Sequence, residues 1–544
     1  MNKNFEHYKN DILDKSIVKK LNKITESQVE KNFSENLTFG TAGMRGTMEL
    51  GTININELTV CKLAQSLANY LSKKDENPSV TICFDTRLNS KKFSRVFAKV
   101  LEQNNVKVYL FKNYAPTPLC VFATNLLGSN LGVMITASHN PREYNGIKVY
   151  AQSGIQIDTK TQIEISNIFD SIDEVEVYNK VYNQKLSKNI IYLGKEYEKL
   201  YIISKKSKIE KNLKIVYTPL NGTGYYSVSR LLKNNKFKFR TPLCQRFKDS
   251  NFSTCKYPNP EFVEAFNKSI KLAKITKADI IVATDPDADR LGVMVRHNNE
   301  YVKLSGNEVG YIFADYILKR NISKNKFVVT SVVTSPLIDD ICKNYNAKLY
   351  KTLTGFMSLG TKTKELIKEY GDIAFALTYE ESCGYVVRKN VFDKDGIFAV
   401  LKICEIAQEK KLKGDTLIDY LDSIYQKVGY MSALSDSIKF TGNEPFKTMS
   451  NFVDKLRNEK LAEMSGYKIT EIKDYLDSEK TGLEKQNFLE YFAGDLKFII
   501  RPSGTEPKLK IYLFLKGSNK EETDKKAQTI LTDIKNYINN ESKN

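Results

Sequence analysis

The chain has 544 residues, 41% of them apolar, more than one hydrophobic core organises, so three to five domains are predicted. No run of 18 apolar residues occurs and the amino-terminal Met1-Asn-Lys-Asn-Phe-Glu-His7 has no apolar core, so neither a membrane span nor a secretory signal is expected and a cytoplasmic location is. The formal charge of +19 comes from lysines dispersed in pairs, such as Lys91-Lys92 and Lys410-Lys411, with no dense basic block; this speaks against a nucleic-acid partner, and a phosphorylated small molecule answers the same electrostatics.

In chain order, Ser79 to Phe84 reads as a β-rich run ending in Asp85-Thr86-Arg87, with Ser90 expected to cap the helix that follows. Lys107 to Phe111 returns as a strand before the Pro116-Thr117-Pro118 break. Val133 to Ile135 reads as a short parallel-type strand, Pro141 and Asn145-Gly146 stop any helix after it, and Ile147 to Tyr150 is extended again. A second unit runs from the strand Lys214 to Tyr217 through the turn Asn221-Gly-Thr-Gly224 and an amphipathic helix near 225–233 to the strand Asp279 to Ala283. A third takes Phe327 to Val333, Ala347 to Tyr350 and Ile373 to Leu377 as strands. After about residue 430 the texture changes, with strands at Leu496 to Ile500 and Lys508 to Leu515 and a polar helix at the end. The reading is an α/β chain of four domains, 1–206, 207–306, 307–430 and 431–544, the first three being related α/β modules and the fourth a smaller α+β domain.

Ser138 stands in the loop at a strand's carboxyl end, where open α/β sheets place their ligands. Asp285-Pro-Asp287-Ala-Asp289-Arg290 follows a buried strand and offers three carboxylates at alternate positions, a density of hard oxygen that suits Mg²⁺; the plainer alternative is a turn rich in capping aspartates. An EF-hand is excluded because Arg290 stands where that loop needs glycine and Arg296 where it needs glutamate. With three histidines, and eight cysteines lacking Cys-x-x-Cys spacing, a zinc site or a disulfide framework is not expected. Phe39-Gly-Thr-Ala-Gly-Met-Arg-Gly46 brings backbone N–H groups and Arg45 to an anion but fits neither a dinucleotide fingerprint nor a P-loop. Arg501-Pro-Ser503-Gly504-Thr505 holds the parts of a phosphate clamp or forms an ordinary turn. Tyr379-Glu380-Glu381-Ser382 reads sugar hydroxyls or is a solvated strand end. A serine hydrolase using Ser138 and His139 fails for want of Gly-x-Ser-x-Gly, and because neighbouring side chains in an extended chain point apart.

Thr-Ala-Ser-His-Asn-Pro at 136–141, Asp-Pro-Asp-Ala-Asp-Arg at 285–290, Glu-Glu-Ser at 380–382 and Arg-Pro-Ser-Gly-Thr-Glu-Pro at 501–507 together resemble the α-D-phosphohexomutase superfamily over nearly the whole chain. With Gly-Thr-Ala-Gly-Met-Arg-Gly at 40–46 and Lys-Asp-Gly at 394–396, the chain looks most like the long phosphoglucomutase/phosphopentomutase branch. The resemblance implies mixed sheets and an active site in a central cleft. It implies an intramolecular phosphotransferase that interconverts sugar 1-phosphate and 6-phosphate, of glucose or mannose, through a phosphoserine at Ser138 and a sugar 1,6-bisphosphate. Asp285, Asp287 and Asp289 would hold Mg²⁺ together with an oxygen on Ser138, while Arg45 and Lys148 stand near the transferred group, Lys148 as proton relay. His139, beside the serine in the same motif, joins these catalytic candidates. Arg290, Thr354, Gly355, Glu380 and Ser382 match substrate-binding positions, and Arg501, Ser503, Gly504 and Thr505 match the clamp on the phosphate that does not react. Glucose 1,6-bisphosphate is implied as activator and priming donor, and a phosphorylated sugar as the partner of a monomer or dimer, without nucleic acid or membrane. Met357 stands where many relatives have lysine. This keeps open a phosphopentomutase acting on ribose or deoxyribose 1-phosphate and a glucose-1,6-bisphosphate synthase; a non-enzymatic polyanion binder is the remote alternative.

Overall fold

The computed structural model describes residues 2–40, 43–204, 211–442, 444–504 and 507–542. It divides into two compact units, Met1–Gly306 with Ser382–Thr416, and Asn307–Glu381 with Leu417–Asn544.

In the first unit, strand Ser79–Phe84 pairs in parallel with Lys107–Phe111 on one side and with Leu131–Ile135 on the other. Leu131–Ile135 then pairs antiparallel with Tyr144–Ala151, which carries Met44–Thr47 antiparallel at its far edge. The sheet is therefore mixed. Its central strands are buried on both faces and read as near-continuous apolar runs such as Leu-Gly-Val-Met-Ile, as strands sandwiched between helices must. Helices Glu57–Ser72 and Ser90–Gln103 cover one face through Leu63, Leu67, Phe93 and Phe97. Asn56, not anticipated from sequence, closes a capping box on the first of these helices, its side chain accepting from the N–H of Leu58 and Thr59. Ser90 is not the cap of the second. Asn89 occupies that position with φ +63° and no side-chain cap bond, and Ser90, the first helical residue, gives its hydroxyl to Asp85 Oδ1 at 2.7 Å. Three short helices, Lys3–Asp11, Lys15–Leu21 and Glu26–Phe33, precede this sheet; their amphipathic pattern lay in a stretch where no element was predicted.

The second sheet of this unit repeats the plan. Lys214–Thr218 runs parallel to Lys238–Arg240 and Ile280–Thr284, and Leu291–His297 and Glu300–Leu304 complete it antiparallel. The strand expected at Asp279 to Ala283 runs one residue later, as Ile280–Thr284; Asp279 leads into it, its N–H donating to Lys214 O at 2.8 Å, its carbonyl accepting the Arg296 N–H at 2.9 Å and its carboxylate accepting the Lys214 N–H at 2.6 Å.

In the second unit Phe327–Ser331 is the middle of a parallel set with Lys348–Thr352 and Phe375–Glu380. The strand predicted from Ile373 starts at Phe375, since Asp372–Ala374 forms a 3₁₀ turn that leaves Ile373 exposed. The carboxyl-terminal sheet is antiparallel throughout, in the order Tyr430–Lys439, Lys508–Gly517, Leu496–Pro502, Leu489–Ala493, Glu471–Asp474. Helix Lys520–Glu541 lays Ile530, Ile534 and Ile538 into its core, where Tyr491 and Phe498 stack with ring centroids 4.5 Å apart.

Candidate active site

Ser138 sits where strand Leu131–Ile135 ends. It is 3% exposed and has φ +53°, a left-handed conformation that costs a non-glycine residue energy unless its surroundings enforce it. They do. Its N–H donates to Thr136 Oγ1 at 2.8 Å, and the Thr136 hydroxyl donates to Asp85 Oδ2 at 2.7 Å. The guanidinium of Arg87, buried and ion-paired to Asp85 at 3.3 Å, donates to four carbonyls of the loop, those of Ser138, Asn140, Pro141 and Tyr144. Asp85 and Arg87 therefore set the serine loop, although the sequence marked them only as a strand end.

The left-handed turn also corrects one expectation. Neighbouring side chains of an extended chain point apart, but Ser138 is not extended and its Oγ lies 3.1 Å from His139 Nδ1. The same Oγ donates to Asp285 Oδ2 at 2.8 Å, which leaves His139 Nδ1 the donor toward it. Burial and the nearby Arg290 and Arg45 hold the His139 imidazole well below its usual pKa, in the neutral form.

Asp285, Asp287 and Asp289 are fully buried, and each offers a carboxylate oxygen within 4.8 Å of the others. The turn that gathers them needs Ala288 at φ +57° and Gly222, where a Cβ would fall 2.4 Å from Pro286 Cα; Thr223 donates its N–H to Pro286 O at 2.8 Å from the same turn. Lys148 Nζ reaches Asp287 Oδ2 at 2.8 Å and Asp289 Oδ2 at 2.9 Å. Lys394, whose ammonium also meets Asp393 at 3.2 Å, lies 3.5 Å from Asp289 Oδ2. The Thr117 hydroxyl donates to Asp287 Oδ2 at 2.7 Å. Burial together with Asp287 and Asp289 pushes the Asp285 carboxyl well up. Burial acts the same way on Asp289, but Lys148, Lys394 and Arg290 outweigh it and hold that carboxyl far below the usual range. Lys148, against its own burial, is held as an ammonium by Asp287 and Asp289.

Two oxygens stand out. Asp287 Oδ1 and Asp289 Oδ1 are buried and have no hydrogen-bond partner, although buried carboxylate oxygens are almost always satisfied. Three hard oxygen donors converging with unsatisfied lone pairs fit a divalent cation of the Mg²⁺ kind.

Of the other candidates in this unit, Arg45 is exposed on strand Met44–Thr47 and donates to Asn140 Oδ1 at 3.0 Å, so it borders the serine loop. Arg290 gives its N–H to Asp285 Oδ1 at 3.0 Å and its guanidinium to Glu261 at 2.5 Å. Ser382 is half-buried beside Cys383, whose carbonyl accepts the Leu291 N–H at 3.0 Å. In the second unit, Glu380 ends its strand and accepts the Gly355 N–H at 2.6 Å, with Gly355 at φ +105° and no atom near its Cα face. Thr354 reaches Gln486 at 3.5 Å. Arg501 lies within strand Leu496–Pro502 opposite Lys510 and beside the buried phenol of Tyr512, whose pKa burial and then Glu381 raise. Ser503 is tied by its N–H to Lys508 O at 2.8 Å, Gly504 is exposed with open space at its Cα, and Thr505 lies outside the described residues. Sequence reasoning assigned no role to Thr117, Asp393, Lys394, Glu261 or Tyr512. The Pro-Thr-Pro break and the Lys-Asp-Gly motif were the visible signals for the first three.

Comparison with known proteins identifies the family and agrees with the fold. Family models described as phosphoglucomutase/phosphomannomutase alpha/beta/alpha domains I, II and III match residues 36–176, 192–298 and 305–428. The chain is 34% identical to a phosphoglucomutase of Staphylococcus epidermidis over 527 residues, covering 93% of this chain and 95% of that protein. It is 34% identical to a phosphoglucomutase of Staphylococcus haemolyticus over 556 residues, 99% of each chain. Among solved structures, a putative phosphomannomutase from Thermus thermophilus superposes with TM-score 0.70 at 18% identity, over 93% of this chain and 99% of that one. The open form of pp63/parafusin, a phosphoglucomutase from Paramecium, superposes with TM-score 0.69 at 18% identity, over 94% and 96%. At these identities the superpositions show the fold.

Proposed function

Since this chain belongs to the phosphoglucomutase/phosphomannomutase family of phosphosugar mutases, intramolecular phosphotransferases, we propose that it interconverts the 1- and 6-phosphates of glucose or mannose through a phosphoserine at Ser138. The observation that supports this reading is the Ser138 Oγ held 2.8 Å from Asp285 at a buried aspartate triad with two unpartnered oxygens. In the forward half-reaction the free hydroxyl of a sugar monophosphate attacks the seryl phosphate, so the new O–P bond forms as the Ser138 O–P bond breaks, giving a 1,6-bisphosphate. The opposite phosphate then returns to Ser138.

Asp285, Asp287 and Asp289 would hold Mg²⁺, which supplies positive charge to the phosphoryl oxygens. Arg45 stabilises that same charge from the edge of the serine loop, the Lys148 ammonium relays a proton, giving one from Nζ to the seryl oxygen as its O–P bond breaks and then taking up the one the attacking hydroxyl loses, and His139 orients the seryl oxygen. Arg290 positions the aspartate turn and its substrate face. Glu380 and Ser382, with Thr354 and Gly355, bind sugar hydroxyls; Arg501, Ser503, Gly504 and Thr505 hold the phosphate that does not react. Glucose 1,6-bisphosphate would prime the serine. We place domain boundaries near residues 206, 306 and 430 and the enzyme in the cytoplasm as a monomer or dimer. Met357, in the first turn of helix Phe356–Tyr370 where many relatives have lysine, leaves open a second reading in which a pentose phosphate is the substrate or the bisphosphate is the product.

The test is a panel of glucose, mannose, ribose and deoxyribose 1-phosphates assayed with Mg²⁺ and a trace of glucose 1,6-bisphosphate, for wild type and Ser138→Ala. Conversion of a hexose 1-phosphate to its 6-phosphate, phosphate mapped to Ser138, and loss of both in Ser138→Ala are expected. Phosphate mapped only elsewhere, with the variant active, overturns the mechanism.

A further inference from the structure

A cavity of about 700 Å³ opens on the first unit beside helix Ser90–Gln103, and neither Ser138 nor the aspartate triad lines it. Its size is that of a small-molecule site. Six cations line it, Arg87, Lys91, Lys92, Arg95, Lys99 and Lys248, against two carboxylates. Those carboxylates are already engaged, Glu57 by Lys92 and Asp85 by Arg87. Among the described residues, the side chains of Lys91, Arg95 and Lys248 have neither an ion pair nor a hydrogen bond, and Lys99 has only the Val181 carbonyl at 3.3 Å.

The arrangement works against the protein when empty. Lys91, Arg95 and Lys99 follow one another at four-residue spacing on one helix face, where like charges repel. They also start at the helix's positive end, whose first turn carries no acidic residue and whose cap position, Asn89, makes no side-chain cap bond. A separate observation points the same way. Thr86 lines the cavity, is 4% exposed, and its hydroxyl has no hydrogen-bond partner, while its carbonyl is occupied by Ser250, another lining residue, at 2.9 Å. A buried donor beside unpaired cations is what an anionic oxygen would satisfy.

We propose that this cavity is a second anion site that takes a small molecule bearing two or more phosphate groups. Its floor is formed by Asp85 and Arg87, the residues that set the Ser138 loop, so an occupant meets the support of that loop rather than the reacting group.

Calorimetric titration of the full chain in EDTA with inorganic pyrophosphate tests it. Lys91→Glu/Arg95→Glu is expected to weaken this binding at least tenfold. Lys268→Glu/Lys271→Glu, on the exposed face of helix Asn267–Thr276, makes the same change in net charge and is expected to alter binding less than about twofold. Thr86→Val, which tests the hydroxyl without a charge change, is expected to weaken binding about threefold or more. Replacing pyrophosphate by glucose 1,6-bisphosphate and by ATP separates a sugar bisphosphate from a nucleoside polyphosphate, and the loss in Lys91→Glu/Arg95→Glu must recur with the tighter of the two. Equal effects of the two double reversals, or pyrophosphate binding unchanged by both Lys91→Glu/Arg95→Glu and Thr86→Val, overturn the proposal.

Discussion

Arg87 is the residue on which the serine loop depends most. One guanidinium satisfies four loop carbonyls and one carboxylate. Arg87→Met strands a buried Asp85 and those carbonyls, and is expected to cost about 3–5 kcal/mol of unfolding free energy as well as turnover. Arg87→Lys, unable to fork, should recover less than half; urea unfolding of the three proteins checks this. A different signature belongs to Arg501. If it holds the phosphate that does not react, Arg501→Ala raises KM strongly, lowers kcat/KM by about 2–4 kcal/mol in both directions, and still allows phosphoserine to form from a bisphosphate donor. An unchanged KM would remove this residue from the substrate set. Both residues could be seen in the sequence, but only Arg501 stood in a segment whose composition suggested its work. Asp85-Thr86-Arg87 looked like any polar strand end, because what distinguishes Arg87 is the loop packed on it from about fifty residues further along the chain.

Among elements, the three sheets with parallel pairs were legible because their buried central strands are rich in apolar residues, and Ser79–Phe84 and Lys107–Phe111 fall where the sequence places them. The ends were less so. Ser90 has the chemistry of a cap yet lies one residue inside its helix, where its hydroxyl donates to the buried Asp85 and its oxygen accepts from the Asn145 side-chain amide at 3.0 Å instead of from a helix N–H. The three amino-terminal helices went unread because they are short and weakly apolar, and owe their stability to contacts made far away in sequence. One such contact is pH-sensitive. His7 bridges Asp11 at 2.7 Å and Asp173 at 3.1 Å, and although burial alone would lower its pKa, these two carboxylates raise it above the ordinary value. A raised folded-state pKa means that the stabilisation is complete below the unfolded value of about 6.5 and fades as pH rises through the folded one. His7→Gln should therefore be less stable than wild type near pH 5.5 and equal to it near pH 9, by less than about 1 kcal/mol at so exposed a pair. Thermal melts at the two pH values measure the difference, and a gap that widened at high pH would contradict it.

At the scale of the whole molecule the strongest expectation concerns the aspartate triad. Three buried carboxylates are costly without a cation, so Mg²⁺ at about a hundred times its Kd should stabilise the folded protein by about 2.7 kcal/mol, seen as a rise in Tm of the Ser138→Ala protein over the same protein in EDTA. Asp287→Asn should remove most of that rise, and chelation should abolish turnover of the wild type until Mg²⁺ is returned. A Tm indifferent to Mg²⁺ would mean that Lys148, Lys394 and Thr117 already satisfy the triad.

The amino-acid sequence by itself determined the central apolar strands and the turns that end them, since apolar periodicity, proline and glycine act over a few residues; polar strands such as Glu471–Asp474 carry no such local signal. It also determined the family. Which turns meet was decided only by the tertiary structure: Ser138 and Asp285 are 147 positions apart, Lys148 and Asp287 are 139, and no local rule relates them. The same holds for the basic cavity. Its cations are ordinary residues along the chain, and they become a site only because a helix face, a strand end and the segment carrying Lys248 fold onto one wall, where charges too distant to interact in sequence share one field.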